Sequence, residues 1–315
     1  MMVTNQDNSE IQADFDAAIQ LKKNGQLDQA LDKIEQILII YPDHAPALNQ
    51  LGSIHLARKE FEKAIAAYQK TIELKPKNAQ AYHGLGDAYL GVNNFTEAIT
   101  AYQTAIEMNP KLPPYLRKKL GDALKQSGQM QAAITAYEQA VELNPQNPGF
   151  YNTLGDAYLQ SKSPKEAIAA YQKALEIKPD LPPNVRKKLG DAFKQSGQME
   201  DAIAAYQKAI ELNPQNPGFY NVLGQTYLQM NQPADAAVNL QKWVELKGDN
   251  PNAYQKLGQA YHKQGQVKAA AECYKSAIAL QPNNPQVYRL IGDLFLEQGR
   301  DEQALKAYRR AISQS

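Results

Sequence analysis

A 44-residue stretch of this chain occurs twice, and no other feature restricts the fold as much. Residues 117–160 read RKKLGDALKQSGQMQAAITAYEQAVELNPQNPGFYNTLGDAYLQ, and residues 186–229, 69 positions on, reproduce 34 of those 44 letters. Inside each copy a shorter pattern recurs: Leu120-Gly121 is answered by Leu154-Gly155, and Leu189-Gly190 by Leu223-Gly224, at spacings of 34, 35 and 34 residues. A period in this range describes units too small to bury a core alone. Each must cover its apolar face with its neighbours, so the chain becomes a stacked array. Its 315 residues then read as one elongated domain.

Counting the Leu-Gly pair as places 7 and 8 divides the chain into nine repeats, at 11–44, 45–78, 79–112, 114–147, 148–181, 183–216, 217–250, 251–284 and 285–315. Only the first repeat, with Ala17-Ala18, and the last, with Ile291-Gly292, depart from the pair. Place 11 holds a ring or bulky side chain such as Tyr89, Tyr158 or Phe193. A later Ala, from Ala30 to Ala304, is present in every repeat, and four residues on comes a Tyr, replaced by Ile34 and Leu240 in two of them. Intervals of three, four and seven are helical, and they occur twice per repeat.

The helix ends have a mechanism. A Pro closes most repeats and pushes its predecessor out of the α region, while Gly128 and Gly197 stand where a turn needs a left-handed residue. Ser163-Pro164-Lys165-Glu166 is a capping box that predicts the start of a second helix, and Asn94-Phe95-Thr96-Glu97 carries the same signal in weaker form. The expectation is helix, tight turn, helix, nine times over. Residues 1–10, MMVTNQDNSE, are polar and read as a disordered lead without a secretion signal.

Composition narrows the function. The 34 Lys and Arg nearly cancel 33 Asp and Glu, which gives no bulk electrostatic case for nucleic acid or an anionic membrane. No run of 18 apolar residues offers a membrane span. Cys273 is the single cysteine, so a reducing, cytoplasmic setting is the natural reading, and the thiol is read as packing. The sequence contains no phosphate loop, no nucleophile elbow, no H-E-x-x-H and no C-x-x-C. His44, His55, His83 and His262 fall at different repeat places, and His55 takes the bulky packing place, so they read as structural. The chain is expected to be no enzyme and to need no cofactor or metal.

With L-G-x-x-Y, A-x-x-x-Y and the closing Pro in register across residues 11–315, the chain resembles a tetratricopeptide repeat array. That resemblance implies an all-α fold, a right-handed α-solenoid superhelix whose concave surface is lined by places 2, 5, 9, 12 and 13 of each first helix. Place 9 is Asp87, Asp122, Asp156, Asp191 and Asp293, with Ser53, Gln225 and Gln259 between. Place 5 is Asn49, His83, Lys118, Asn152, Lys187, Asn221, Gln255 and Arg289. Acceptors alternating with amide and cationic donors suit the backbone of an extended peptide, which presents both N–H and C=O groups. Members of the family that grip a terminal carboxylate carry Asn at place 9, and Asp here would repel such a group. Lys118 with Asp122, and Lys187 with Asp191, also read as i,i+4 pairs that support the helix.

The leading expectation is an interaction scaffold for an extended peptide or protein partner in the concave groove. The convex face and the array ends are the other candidate surfaces. Two further readings stand beside it: the substrate-recruiting portion of a larger transferase-type enzyme, and a homo-oligomer formed through the C-terminal edge, where no polar capping helix follows. Three departures stand out. An extra residue precedes the fourth and sixth repeats, where Arg117 and Arg186 replace the usual aromatic or Leu, and it reads as a longer link. Trp243 sits where Ala is usual and is read as core that splays its neighbours or fills a gap.

Overall fold

The computed structural model describes residues 5–314, which form eighteen α-helices and, among the described residues, no strand. They divide into two compact halves, one up to Ala157 and one from Tyr158 onward. In the first half the leading helices of the repeats are α1 (Asn5–Lys23), α3 (Ala45–Ala57), α5 (Ala79–Gly91), α7 (Pro114–Gln126) and α9 (Pro148–Gln160), the end of α9 lying in the second half. Their partners are α2 (Leu27–Ile40), α4 (Phe61–Leu74), α6 (Phe95–Met108) and α8 (Met130–Leu143). The second half holds leading helices α11 (Pro183–Gln195), α13 (Pro217–Gln229), α15 (Pro251–Lys263) and α17 (Pro285–Leu296). It also holds second helices α10 (Pro164–Ile177), α12 (Met199–Leu212), α14 (Pro233–Leu246), α16 (Val267–Leu280) and α18 (Asp301–Ile312). In the first half α2, α4 and α6 pack on α3, α5 and α7, and in the second half α10, α12, α14 and α16 pack on α11, α13, α15 and α17, the arrangement of an α-solenoid. Helix α1 begins inside the stretch read as a lead, and residues 1–4 lie outside the described residues.

The hairpin is closed by one recurrent contact. The Tyr of the second helix lies flat against the Gly of place 8: a Cβ on Gly86 would stand 2.5 Å from Tyr102 Cε1, and one on Gly258 2.5 Å from Tyr274 Cε1. Both rings are fully buried. The every-repeat Ala is buried completely too, from Ala30 to Ala270, which lets the helix pair approach closely. At the turn, place 15 is left-handed in all nine repeats. Gly128 (φ 84°) and Gly197 (φ 85°) are joined there by Lys59 (61°), Asn93 (57°), Lys162 (60°) and Asn231 (55°). An L side chain is strained in that region, so Lys162→Gly is expected to stabilise the protein by about 0.5–1 kcal/mol. A lowered melting temperature would show that the Lys side chain contributes more than its backbone strain costs.

The capping boxes form less fully than the sequence suggests. α10 does begin at Pro164 and α6 at Phe95, but neither Ser163 nor Asn94 makes a side-chain cap bond. The caps that do form belong to the leading helices. Asn78 accepts from the N–H groups of Gln80 and Ala81, and Asn216, Asn250 and Asn284 each accept from an N–H in the first turn of their helices.

The three departures are resolved locally. The Arg117 guanidinium is buried and donates to the carbonyls of Pro110 at 2.8 Å and Leu112 at 3.3 Å; Arg186 grips Pro179 and Leu181 in the same way. The longer link turns carbonyls inward, and a fork of donors satisfies them, which is why insertion and Arg occur together. Trp243 is core, as read: it is buried in a cluster with Leu240, Val244, Leu257 and Ala253. It fills a gap, because ten residues on, Ala253 stands where other repeats have Phe150 or Phe219, and those follow Ala140 and Ala209. Large meets small at each such junction. Cys273 joins the same cluster, and burial pushes its thiol up to about 11, which keeps it protonated.

Candidate functional site

The place-9 carboxylates are partners of the core tyrosines before they are anything else. In the first half Asp87 Oδ1 accepts from the Tyr102 hydroxyl at 2.7 Å and Asp122 Oδ1 from Tyr137 at 2.8 Å. In the second half Asp191 accepts from Tyr206 at 2.8 Å and Asp293 from Tyr308 at 2.7 Å. The Tyr ring that covers place 8 ends in a hydroxyl that must find an acceptor as it leaves the core, and place 9 supplies it. Burial first, and the adjacent carboxylate next, raise the Tyr102 hydroxyl well above its ordinary range, so it remains the donor. Asp156 is not free either. The seventh repeat supports this account by exception: Leu240 replaces the Tyr, and Gln225 replaces Asp and donates to Asn221 Oδ1. In the eighth, Gln259 stands at place 9 and the Tyr274 hydroxyl has no partner among the described residues.

Place 5 divides into two kinds. Lys118 and Lys187 complete the i,i+4 pairs, with Nζ 2.7 Å from Asp122 Oδ2 and Asp191 Oδ2 respectively. His83 Nε2 stands 3.6 Å from Asp87 Oδ2, beyond a hydrogen bond, and Arg289 is exposed. Asn49, Asn152 and Gln255 each bury an amide oxygen without a donor among the described residues. Burial holds the His83 imidazole below its ordinary value, Lys119 lowers it further and Asp87 opposes them. A depressed folded pKa means the unfolded chain takes up the proton first, so stability is present above about pH 6.5 and is lost as pH falls through the folded value. Melting temperature between pH 7 and pH 5 is therefore expected to fall more steeply in the wild type than in His83→Asn. Parallel curves would refute this role for His83.

The structure also brings in lysines that the place-5 and place-9 reading passes over. Lys119 of α7 reaches back to Asp87 of α5, with Nζ 2.6 and 2.7 Å from the two oxygens. In the second half Lys194 and Lys256 are half-buried and Lys263 is exposed, and none has an ion-pair partner among the described residues. Burial lowers the Lys194 ammonium below its usual range; Asp191 opposes that, while the charges of Lys187 and Lys256 add to it. Beside Lys256 and Lys263 lies a hollow of 310 Å³ lined only by leading-helix side chains of α13, α15 and α17, among them Gln225, Leu228, Gln259 and His262. His262 Nε2 is 2.7 Å from a Glu297 carboxylate oxygen. A larger cleft of 870 Å³ lies between α16 and α17, walled by Val267, Ile278, Ile291 and Phe295. Among the described residues no His, Cys, Asp and Glu cluster could hold a metal ion, and no helix is long and apolar enough to cross a membrane.

Leading helices side by side, each backed by a second helix and presenting polar side chains on the other face, define a class of helical-hairpin repeat protein. The chain belongs to the tetratricopeptide repeat family. Residues 111–315 match the family model described as Cilia and flagella-associated protein 70 C-terminal domain, residues 52–92 the model TPR repeat, and residues 79–112 the model Tetratricopeptide repeat. Among solved structures, it is similar to the C-terminal part of a TPR repeat-containing protein from Cytophaga hutchinsonii. There the TM-score is 0.67 at 19% identity, over 76% of this chain and 97% of that one. It is also similar to YrrB, described as a TPR protein with an unusual peptide-binding site, with TM-score 0.53 and 23% identity over 57% and 92% of the two chains. The MamA protein aligns with TM-score 0.50 and 26% identity over 53% and 90%. No curated protein matches the chain significantly.

Proposed function

We propose that the chain is a non-catalytic interaction scaffold that binds an extended peptide segment of a protein partner along the leading-helix face of its repeats. The observation that carries this reading is the set of amide oxygens of Asn49, Asn152 and Gln255, all at place 5 and all buried without a donor. An unsatisfied buried acceptor costs about 1–3 kcal/mol, and its recurrence at one repeat place asks for a common reason. Half a turn about the terminal torsion brings such an oxygen toward the face, where a peptide N–H can pair with it. A reducing, cytoplasmic location fits the single buried thiol.

The test uses a photo-crosslinking residue at Gln229, which is exposed on the leading helix α13, or at Val238, 72% exposed on the second helix α14. In lysate of the source cells, a protein crosslinked from Gln229 and absent from Val238 is the expected result. Capture from Val238 alone would overturn the assignment and move binding to the second-helix side.

A further inference from the structure

We propose that the leading-helix face of residues 158–315 selects acidic side chains: Lys194 of α11, with Lys256 and Lys263 of α15, receives Asp or Glu carboxylates of an extended peptide segment of a protein partner. The inference rests on the reading of that face as the binding surface and gives it a charge preference. The formal balance of the chain hides this preference, because the carboxylates on the face are already engaged. Asp191 is held by Lys187 and Tyr206, Asp293 by Tyr308 and Glu297 by His262. The three lysines are left without an anion among the described residues.

The surroundings suit a carboxylate. The charges of Lys187 and Lys256 both act on Lys194, and the carboxylate that opposes them, Asp191, is already held by Lys187 and Tyr206. A bound carboxylate relieves that repulsion, and it does so where burial weakens solvent screening. The hollow beside Lys256 and Lys263 adds the amides of Gln225 and Gln259 as donors, and Leu228 as an apolar wall for the stem of the same side chain. The lysines sit on two leading helices with α13 between them in the chain, and a segment of several residues offers a carboxylate to each helix.

The test is fluorescence anisotropy with a labelled peptide in which Glu and Ser alternate around a central Leu, its Gln-for-Glu counterpart, and an oligothymidylate of matched charge. The Glu peptide is expected to bind at least about tenfold more tightly than the Gln peptide at low salt, an advantage that shrinks as ionic strength rises. The combined variant Lys194→Met, Lys256→Met, Lys263→Met is expected to remove the advantage, leave the Gln peptide unaffected, and melt no lower than the wild type. Lys263→Met alone, at an exposed position, is expected to reduce the advantage without touching the fold. Equal affinity for the two peptides would overturn the charge preference and leave the groove reading standing. Failure of both to bind would overturn the two together. A Glu preference that survives the combined variant would overturn the lysine assignment, and oligothymidylate binding as tight as the Glu peptide would overturn the peptide ligand.

Discussion

Gly86→Ala is expected to destabilise the first half by about 2 kcal/mol, even though Ala is the better helix former by roughly 1 kcal/mol. The sign is decided by the ring beyond it. The added methyl would stand 2.5 Å from Tyr102 Cε1, and that ring is fully buried with its hydroxyl tied to Asp87. Asp87 is held in turn by Lys119 of the next repeat, so the ring cannot retreat without losing its own bond to Asp87 or pulling Asp87 from that lysine. Urea denaturation followed by circular dichroism reads the difference. Stability within about 0.5 kcal/mol of the wild type would mean that the ring moves at no cost, and the close-approach account of place 8 would fall.

The second large effect belongs to Asp87 itself. Its side chain and that of Lys119 are 17% and 19% exposed, and the carboxylate also accepts from Tyr102. Asp87→Ala leaves an ammonium and a hydroxyl without their acceptor and is expected to cost about 3 kcal/mol. Asp87→Asn keeps an oxygen for Tyr102 and loses only the charge facing Lys119, so its cost is expected to be about half as large. Equal stability of the Ala variant and the wild type would remove the carboxylate from the fold's support. The same geometry bears on Asp122 and Asp191. Reversing either charge would confront Lys118 or Lys187 and strand a tyrosine hydroxyl, so such variants report on folding before they report on binding.

The architecture was legible in the sequence because the repeat encodes it many times over. The Leu-Gly pair, the every-repeat Ala and the Tyr four residues later are one contact written in letters, the ring of Tyr102 against Gly86. The candidate site was less legible, since pattern shows which side chains share a face and not which are already spent. The Asp residues of place 9 read as groove carboxylates, yet Tyr102, Tyr137, Tyr206 and Tyr308 donate to four of them. A sequence signal for this existed: in the seventh repeat the Tyr and the Asp are lost together, as Leu240 and Gln225. Lys194, Lys256 and Lys263 carry no sequence signal, because their significance lies in having no ion-pair partner among the described residues, a property of the folded arrangement. Lys59 and Lys162 gave no hint of their left-handed backbone, since Lys has no preference for it, and neighbouring helices impose it.

The junction pairs, Ala209 with Phe219 and Trp243 with Ala253, also bear on assembly order. Second helices built on one repeat pattern could trade places during folding, each docking where another belongs. Volume makes such an exchange self-correcting. If the Trp243 helix docked on the Phe219 surface, two large rings would compete for one space, and the Ala209 helix on the Ala253 surface would leave a void. The joint between the seventh and eighth repeats thus carries an address in a single residue on each side, which sets it apart from the joint one repeat earlier.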